Sequence, residues 1–141
     1  MKRYFAYGSN LWLEQMQRRC PGYRAVGIGF LRGFRWIIST RGYANIIKSE
    51  PDEVRGVIYE ISESDECGLD ECEGVHCGAY RKELMMIEAE GQCVECLVYV
   101  DPVEQEGEPK QEYIERINKG VLDSKMPVDY IDRYVRKFIP Q

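Results

Sequence analysis

Residues 4–11 read Tyr4-Phe5-Ala6-Tyr7-Gly8-Ser9-Asn10-Leu11, an aromatic, strand-favouring run that passes into a small polar turn. The glycine allows a sharp turn and a close approach to a ligand, and Asn10 is a residue type typical of helix N-caps. We therefore predict a strand, a turn and a helix from Leu11 to about Arg19. Because free N–H groups at a helix start attract negative charge, this turn could bind a carboxylate or an oxyanion. The alternative is a plain connection that binds nothing, which is the more common use of such turns.

Turn residues divide the following part of the chain into short strand-like runs. These runs are Arg24–Leu31, Phe34–Thr40, Ala44–Lys48, Val54–Ile61, Tyr80–Ala89 and Cys93–Val100. We expect a tight connection at 31–34, a turn at 50–53 and a hairpin tip at 90–92. With the first strand, the pattern predicts a mixed α+β fold: a curled, barrel-like sheet of about six to seven strands, flanked by short helices.

Two further helices are predicted near the end of the chain. One covers Glu112–Lys119 with Gly120 as its C-cap, and the other begins at Pro127. The polar stretch Asp101–Gln111 is expected to be a surface linker, since too little chain follows it to build a second core. We therefore expect residues 1–141 to form a single domain.

The composition limits the classes of partner. The chain carries 19 Lys and Arg against 24 Asp and Glu, a formal charge of -5, and it contains no basic run. This argues against nucleic acid or an anionic membrane as the main partner and favours a small molecule. The sequence shows neither a leader-like segment nor an apolar stretch of membrane-spanning length, so we expect a cytoplasmic protein. Both a monomer and a homodimer are compatible with this composition.

Six cysteines raise the hypothesis of a thiol or zinc module. Cys67, Cys72 and Cys77 are spaced five apart, and Cys93 and Cys96 lie in a predicted strand, where alternation turns them to opposite faces. Neither pattern suits a tetrahedral site, and the chain has a single histidine. We therefore expect free thiols in a reducing compartment and no metal site.

The acidic stretch Ser62–Gly74 predicts a short helix, with the serine as its N-cap and the glycine as its end. At about 100° per residue, Glu73 lies within about 40° of Leu69 on the apolar stripe and so faces inward. Burial, neighbouring carboxylates and the helix C-terminus all raise the pKa of such a group, which suits a general base. Two alternatives stay open: Glu73 pairs with an arginine, or Glu66, one heptad earlier, is the functional carboxylate.

The turn and the acidic helix together resemble the γ-glutamylcyclotransferase family, including its plant AIG2-like relatives. The resemblance rests on Tyr7–Leu11 and Leu69–Val75. Further blocks in the family's order are Ala44–Ile47, Val54–Tyr59, Gly78–Tyr80 and Tyr113–Gly120. The match spans nearly the whole chain and implies a small barrel-like mixed fold.

That family converts a γ-glutamyl compound to 5-oxoproline and a free amine or amino acid. The resemblance implies that the substrate's α-amine attacks its own γ-carbonyl, with no metal, cofactor or covalent nucleophile. The site residues that it implies are the catalytic Glu73, the γ-glutamyl-binding loop Tyr7, Gly8, Ser9, Asn10 and Leu11, and the pocket tyrosines Tyr80, Tyr99 and Tyr113.

Several choices stay open at this level. The glutathione-specific branch carries a different residue after Tyr-Gly-Ser, so Asn10 argues against glutathione as the substrate. The leaving group is not encoded in any motif; we expect the loop Thr40–Tyr43 and the linker after Val100 to shape the open end of the pocket. The competing hypothesis from another class is a binding or regulatory module that keeps the pocket without turnover.

Overall fold

The computed structural model describes all residues 1–141 and contains five strands rather than the six or seven expected. The strands are β1 Lys2–Ala6, β2 Arg24–Ile38, β3 Ala44–Ile61, β4 Arg81–Ala89 and β5 Gln92–Val100. They form a closed barrel in the order β1-β3-β2-β4-β5. Neighbouring strands are antiparallel except β1 and β5, which pair in parallel where Tyr4 lies opposite Leu97. The predicted α+β, barrel-like class is confirmed.

The strand count is lower because two pairs of predicted runs are each one long strand. β2 has 15 residues and β3 has 18, and the two pair along most of their length. The register jumps at 32–34, where the partner on β3 moves from Glu53 to Lys48. The predicted connection at 31–34 and turn at 50–53 are therefore wrong. Their turn-forming residues make a bulge inside paired strands, and such bulges increase the bend and twist that a barrel needs.

Four helices and two single helical turns complete the fold. The helices are α1 Leu13–Arg19, α2 Glu63–Cys72, α3 Gln111–Ser124 and α4 Val128–Tyr130, the last continued by a π-helical turn at Ile131–Val135. The single 3-10 turns are Ser9–Leu11 and Val75–Cys77. None of the helices has the length and apolar character needed to cross a bilayer.

Gly120 lies inside α3 and does not end it as predicted. A Cβ atom on this residue would come within 2.9 Å of the Leu11 Cβ and 3.1 Å of the Trp12 nitrogen. The glycine therefore lets α3 pack closely on the chain after β1. The helix ends at Lys125, which adopts a left-handed conformation with φ of 55°.

The core fills the barrel and the space beneath the helices, with Phe5, Trp36 and Tyr59 among its fully buried side chains. The segment 101–111 is largely exposed, as expected of a linker, but its first residue, Asp101, is completely buried. Farther along, the segment is tied to the end of β2 by backbone hydrogen bonds, including one from Gly107 N–H to the Ile38 carbonyl at 2.8 Å. The linker is thus anchored to the barrel.

Helix α2 begins with a reciprocal cap. The Ser62 hydroxyl accepts from Asp65 N–H at 3.1 Å, and the Asp65 carboxylate accepts from Ser62 N–H at 3.2 Å. We expect Ser62→Ala to lower the free energy of unfolding by about 1 kcal/mol, since it removes one half of this cap. Ser64→Ala serves as the control, because the exposed Ser64 hydroxyl lies 3.1 Å from the Ser62 hydroxyl and receives no hydrogen bond from the backbone. Urea denaturation of both variants measures the difference, and equal losses would contradict the capping role.

Candidate active site

A cavity of about 330 Å³ opens around the end of β1, and its wall joins the turn after β1 to the end of α2. Eight of the nine predicted site residues line it. These are Tyr7, Gly8, Ser9, Asn10, Glu73, Tyr80, Tyr99 and Tyr113. Leu11 is the exception, because its side chain is buried where α3 packs on the turn. The fold therefore brings together residues that are more than 100 positions apart in the sequence.

The turn itself is a single 3-10 turn, and the helix begins later than predicted. The N–H groups of Leu11 and Trp12 donate to the carbonyls of Gly8 and Ser9 at 3.1 and 3.0 Å, whereas α1 starts only at Leu13. The N–H groups of Gly8, Ser9 and Asn10 donate to none of the backbone carbonyls in the turns and loops. The N–H groups of Gly8 and Asn10 in the tight turn, and not the start of α1, are therefore the candidate donors for an anion, since the Ser9 N–H lies within reach of the Tyr113 hydroxyl.

Asn10 holds this turn in place and is not the predicted N-cap. Its Oδ1 accepts hydrogen bonds from Gln15 at 2.9 Å and Arg19 at 3.2 Å, while its Nδ2 donates to the Tyr4 hydroxyl at 2.8 Å. Its backbone carbonyl accepts from the Tyr59 hydroxyl at 3.0 Å. Because both ends of the side chain already have protein partners, Asn10 contributes rigidity to the cavity wall.

Glu73 follows the last turn of α2, and its side chain enters the cavity wall with 17% of its surface exposed. The chain leaves the helix at Gly74, whose φ of 66° favours glycine and whose added Cβ would come within 2.9 Å of the Ala79 Cβ. The Glu73 carboxylate lies 3.7 Å from the Arg19 guanidinium. The inward orientation predicted from helical periodicity and the pairing with an arginine are therefore both present.

Burial raises the pKa of Glu73 above its usual value, while the guanidinium groups of Arg19 and Arg41 act in the opposite direction. The carboxylates expected to assist do not act on it. Asp70 accepts a hydrogen bond from the Tyr99 hydroxyl at 2.7 Å and pairs with Lys82 at 3.0 Å. The effect of desolvation on the pKa of Glu73 therefore outweighs that of the two cations.

Glu66, the alternative carboxylate, does not line the cavity. It pairs with Lys2 at 2.9 Å and also with Lys82. Burial acts to raise the pKa of Glu66, but hydrogen bonds from the two lysines lower it overall. Glu66 thus lies outside the cavity and has a lowered pKa, and both facts favour Glu73 as the functional carboxylate.

The cavity tyrosines differ in whether their hydroxyl hydrogen has an acceptor. Tyr7 and Tyr80 donate to backbone carbonyls at 2.6 and 2.7 Å, and Tyr99 donates to a carboxylate. The Tyr4 and Tyr113 oxygens instead accept, from the Asn10 amide at 2.8 Å and from a backbone N–H at 3.3 Å. Burial raises the pKa of both, so each stays neutral. The Tyr4 hydroxyl keeps an O–H donor for a ligand, whereas the Tyr113 hydroxyl also lies within hydrogen-bonding reach of Ser9.

Charged residues of the cavity wall were missed by the sequence prediction. They are Arg19, Arg41, Glu112 and Arg116, and the aromatic residues Tyr4 and Tyr43 also belong to the wall. Arg41 and Tyr43 lie in the loop Thr40–Tyr43, which was expected to shape the open end of the pocket. That expectation was the sequence signal that could have identified them. The linker after Val100 contributes no residue to the wall, because it runs along the end of β2.

The six cysteines are all free thiols. Cys93 is exposed and Cys96 is buried, in agreement with the predicted alternation along β5. Cys72 is exposed at the cavity wall. No group of three or more His, Cys, Asp or Glu side chains is arranged to hold a metal ion.

Comparison with known proteins shows the family to which this chain belongs. The model of the AIG2-like family matches residues 53–134. The chain is 30% identical to the human (Homo sapiens) protein named γ-glutamylcyclotransferase, over 92% of this chain and 75% of the relative. The chain belongs to the AIG2-like family. A solved structure titled γ-glutamyl cyclotransferase superposes with a TM-score of 0.88 at 26% identity, over 99% of this chain and 89% of that one.

The AIG2-like match includes α2, Glu73 and the tyrosines of the cavity wall from Tyr80 to Tyr113, but it begins after the turn that follows β1. An AIG2-like protein from Mus musculus, 20% identical with a TM-score of 0.60 over 81% of this chain and 82% of that one, shares the fold. The longer alignment with the human protein spans most of this chain. The turn after β1 and the end of α2, which together form the cavity wall, therefore both lie within the shared fold.

Proposed function

We propose that this AIG2-like protein is a γ-glutamylcyclotransferase that converts a γ-glutamyl amino acid or γ-glutamylamine to 5-oxoproline and the free amino acid or amine. Homologues of that name, about 30% identical to this chain, support an enzyme of this kind. The observation that carries the finer proposal is a buried carboxylate, Glu73, in the same small cavity as the donor-rich turn at Gly8–Asn10.

The proposed reaction is intramolecular. The α-amine of the γ-glutamyl group attacks its own γ-carbonyl, a new C–N bond closes the five-membered ring, and the amide bond to the leaving group breaks. A cavity of about 330 Å³ suits a small substrate in a curled conformation. Holding the amine against the carbonyl can contribute up to about 7 to 11 kcal/mol of the barrier reduction in favourable cases.

In this proposal Glu73 moves the proton. Its carboxylate takes a proton from the attacking amine and returns it to the departing nitrogen, so it ends the cycle ionised. Burial raises the pKa of Glu73 and so brings it nearer to the pKa values of the groups with which the carboxyl group exchanges protons. The N–H groups of the turn and the O–H donor of Tyr4 are available for the substrate carboxylate and for the oxyanion of the tetrahedral intermediate.

The test is a substrate panel. Purified protein is incubated with γ-glutamyl amino acids, γ-glutamylamines and glutathione, and 5-oxoproline is quantified by mass spectrometry. We expect release from at least one non-glutathione member of the panel. Calorimetry on the same compounds provides the second readout, because tight binding without release from any of them would identify a binding module and contradict the proposal.

The acid limb of the pH profile should report Glu73. The ionised carboxylate is the active form, so kcat/KM rises with pH through a pKa that burial has raised. The Arg19 guanidinium lowers that pKa, so we expect Arg19→Gln to move the acid limb to higher pH. Arg18→Gln, on an exposed neighbour that pairs with Glu14, should leave the limb in place. A limb that stays fixed or moves to lower pH in Arg19→Gln would contradict the assignment.

A further inference from the structure

Arg41 lines the cavity and its guanidinium lowers the pKa of Glu73, but it carries no proton in the proposed reaction. One nitrogen, Nη1, donates to the Ala79 carbonyl at 2.9 Å and to the Asp101 carboxylate at 3.0 Å. The guanidinium also lies 5.6 Å from the centre of the Tyr80 ring and 6.0 Å from that of the Tyr43 ring. Its Nε and Nη2 have no protein acceptor within hydrogen-bonding distance, so their N–H donors are available.

The position of this guanidinium is fixed from behind. Asp101 is completely buried, and its carboxylate also accepts from the Ser39 hydroxyl at 3.1 Å and from Val103 N–H at 2.8 Å. The anion therefore cannot move with the arginine, and Arg41 is held in one place at the wall. A planar guanidinium with free N–H groups is well suited to bind a carboxylate, and prior ordering lowers the entropy cost of doing so.

The other two arginines of the wall are engaged differently. Arg19 contacts Glu73 at 3.7 Å and Asn10 at 3.2 Å, and so belongs to the turn and to the proton carrier. Arg116 pairs with Glu112 at 2.7 Å along the same face of α3. Arg41 is thus the cation of the wall whose anionic partner lies fully buried in the protein.

A γ-glutamyl amino acid has two carboxylates, one on the glutamyl group and one on the leaving group, whereas a simple γ-glutamylamine has only the first. We propose that Arg41 binds the carboxylate of the leaving group and makes the protein prefer amino acids over uncharged amines as leaving groups. This inference rests on the proposed function, in which the turn at Gly8–Asn10 holds the glutamyl part. Arg41 is then a specificity-determining residue, and Asp101 is its positioning residue.

The test compares γ-glutamylalanine with γ-glutamylethylamine, which differ only by that carboxylate. A charge-assisted hydrogen bond should give the wild type a kcat/KM about 10- to 100-fold higher for the alanine compound. Arg41→Gln should bring this ratio close to one, because it lowers the value for γ-glutamylalanine much more than that for γ-glutamylethylamine. Both compounds are measured on the plateau of the pH profile, where the effect of Arg41 on the pKa of Glu73 no longer enters. Arg41→Lys should keep part of the preference, and Arg18→Gln, outside the cavity, should keep all of it.

The ratio separates recognition from structure. Arg41→Gln also leaves the buried Asp101 without its cation and weakens the fold, but that lowers kcat/KM for both compounds alike, and circular dichroism registers it. A wild-type ratio near one, or an equal loss on both compounds in Arg41→Gln, overturns the inference. If the wild type releases no 5-oxoproline from either compound or from the wider panel, the proposed function fails, and calorimetric affinities of the two compounds for wild type and Arg41→Gln then decide the role of Arg41.

Discussion

Glu73→Gln is expected to lower kcat for 5-oxoproline release by about 10²- to 10⁴-fold, the usual contribution of a positioned general base. Glutamine has nearly the same shape and keeps the cavity filled, but it cannot take a proton from the substrate amine. Because burial raises the pKa of Glu73, the folded protein holds its carboxylate less favourably than the unfolded chain does at neutral pH. The neutral variant should therefore be at least as stable as the wild type near pH 7.

Glu71→Gln is the matched control for this experiment. Glu71 lies two positions earlier in α2, is exposed, and does not line the cavity. We expect it to retain full activity, so that a change in helix charge is separated from the loss of the proton carrier. Full 5-oxoproline release by Glu73→Gln would show that another group acts as the base.

Gly56→Ala is expected to lower the free energy of unfolding by about 3 kcal/mol, the upper end for an added methyl group in a packed core. A Cβ atom at this position would come within 2.2 Å of the Ala6 carbonyl oxygen and 2.8 Å of the Phe5 ring. The backbone of β1 cannot yield without disturbing its pairing with β3, where Ala6 lies opposite Val57. The loss of stability is measured by urea denaturation.

The same substitution should also reduce activity, because β1 leads directly into the turn that lines the cavity. Gly22→Ala is the control, since its added Cβ would meet only the end of the Asp65 side chain at 3.2 Å and lies outside the barrel. We expect the control to change stability by about 0.5 kcal/mol or less. Comparable stability of Gly56→Ala and the wild type would contradict the close packing of β1 on β3.

Local patterns were sufficient for features whose cause is local. The alternation along β5 predicted that Cys93 and Cys96 would face opposite ways, and helical periodicity predicted the inward orientation of Glu73. The cap at Ser62 and the end of α2 at Gly74 follow from residue types that favour those backbone conformations. In each case the deciding contacts lie within a few residues along the chain.

Predictions were wrong where a residue with a strong local preference makes a long-range contact instead. Gly120 resembles a helix end, but it is the contact of α3 with Leu11 that requires a small residue. The residues at 50–53 resemble a turn, but pairing of β3 with β2 on both sides keeps them in one bulged strand. Asn10 resembles a helix cap, yet it is bonded to Gln15, Arg19 and Tyr4.

The α+β barrel class, the turn after β1 and the inward carboxylate at Glu73 could all be predicted from local patterns, because periodicity and backbone preference act over short distances. Three facts are visible only in the folded chain: Arg19 and Arg41 act on that carboxylate, Asp101 is buried behind Arg41, and Leu11 lies outside the cavity. Those facts depend on which distant segments meet when the barrel closes. Burial and charge at a site are properties of that closed arrangement, and no single stretch of the chain contains them.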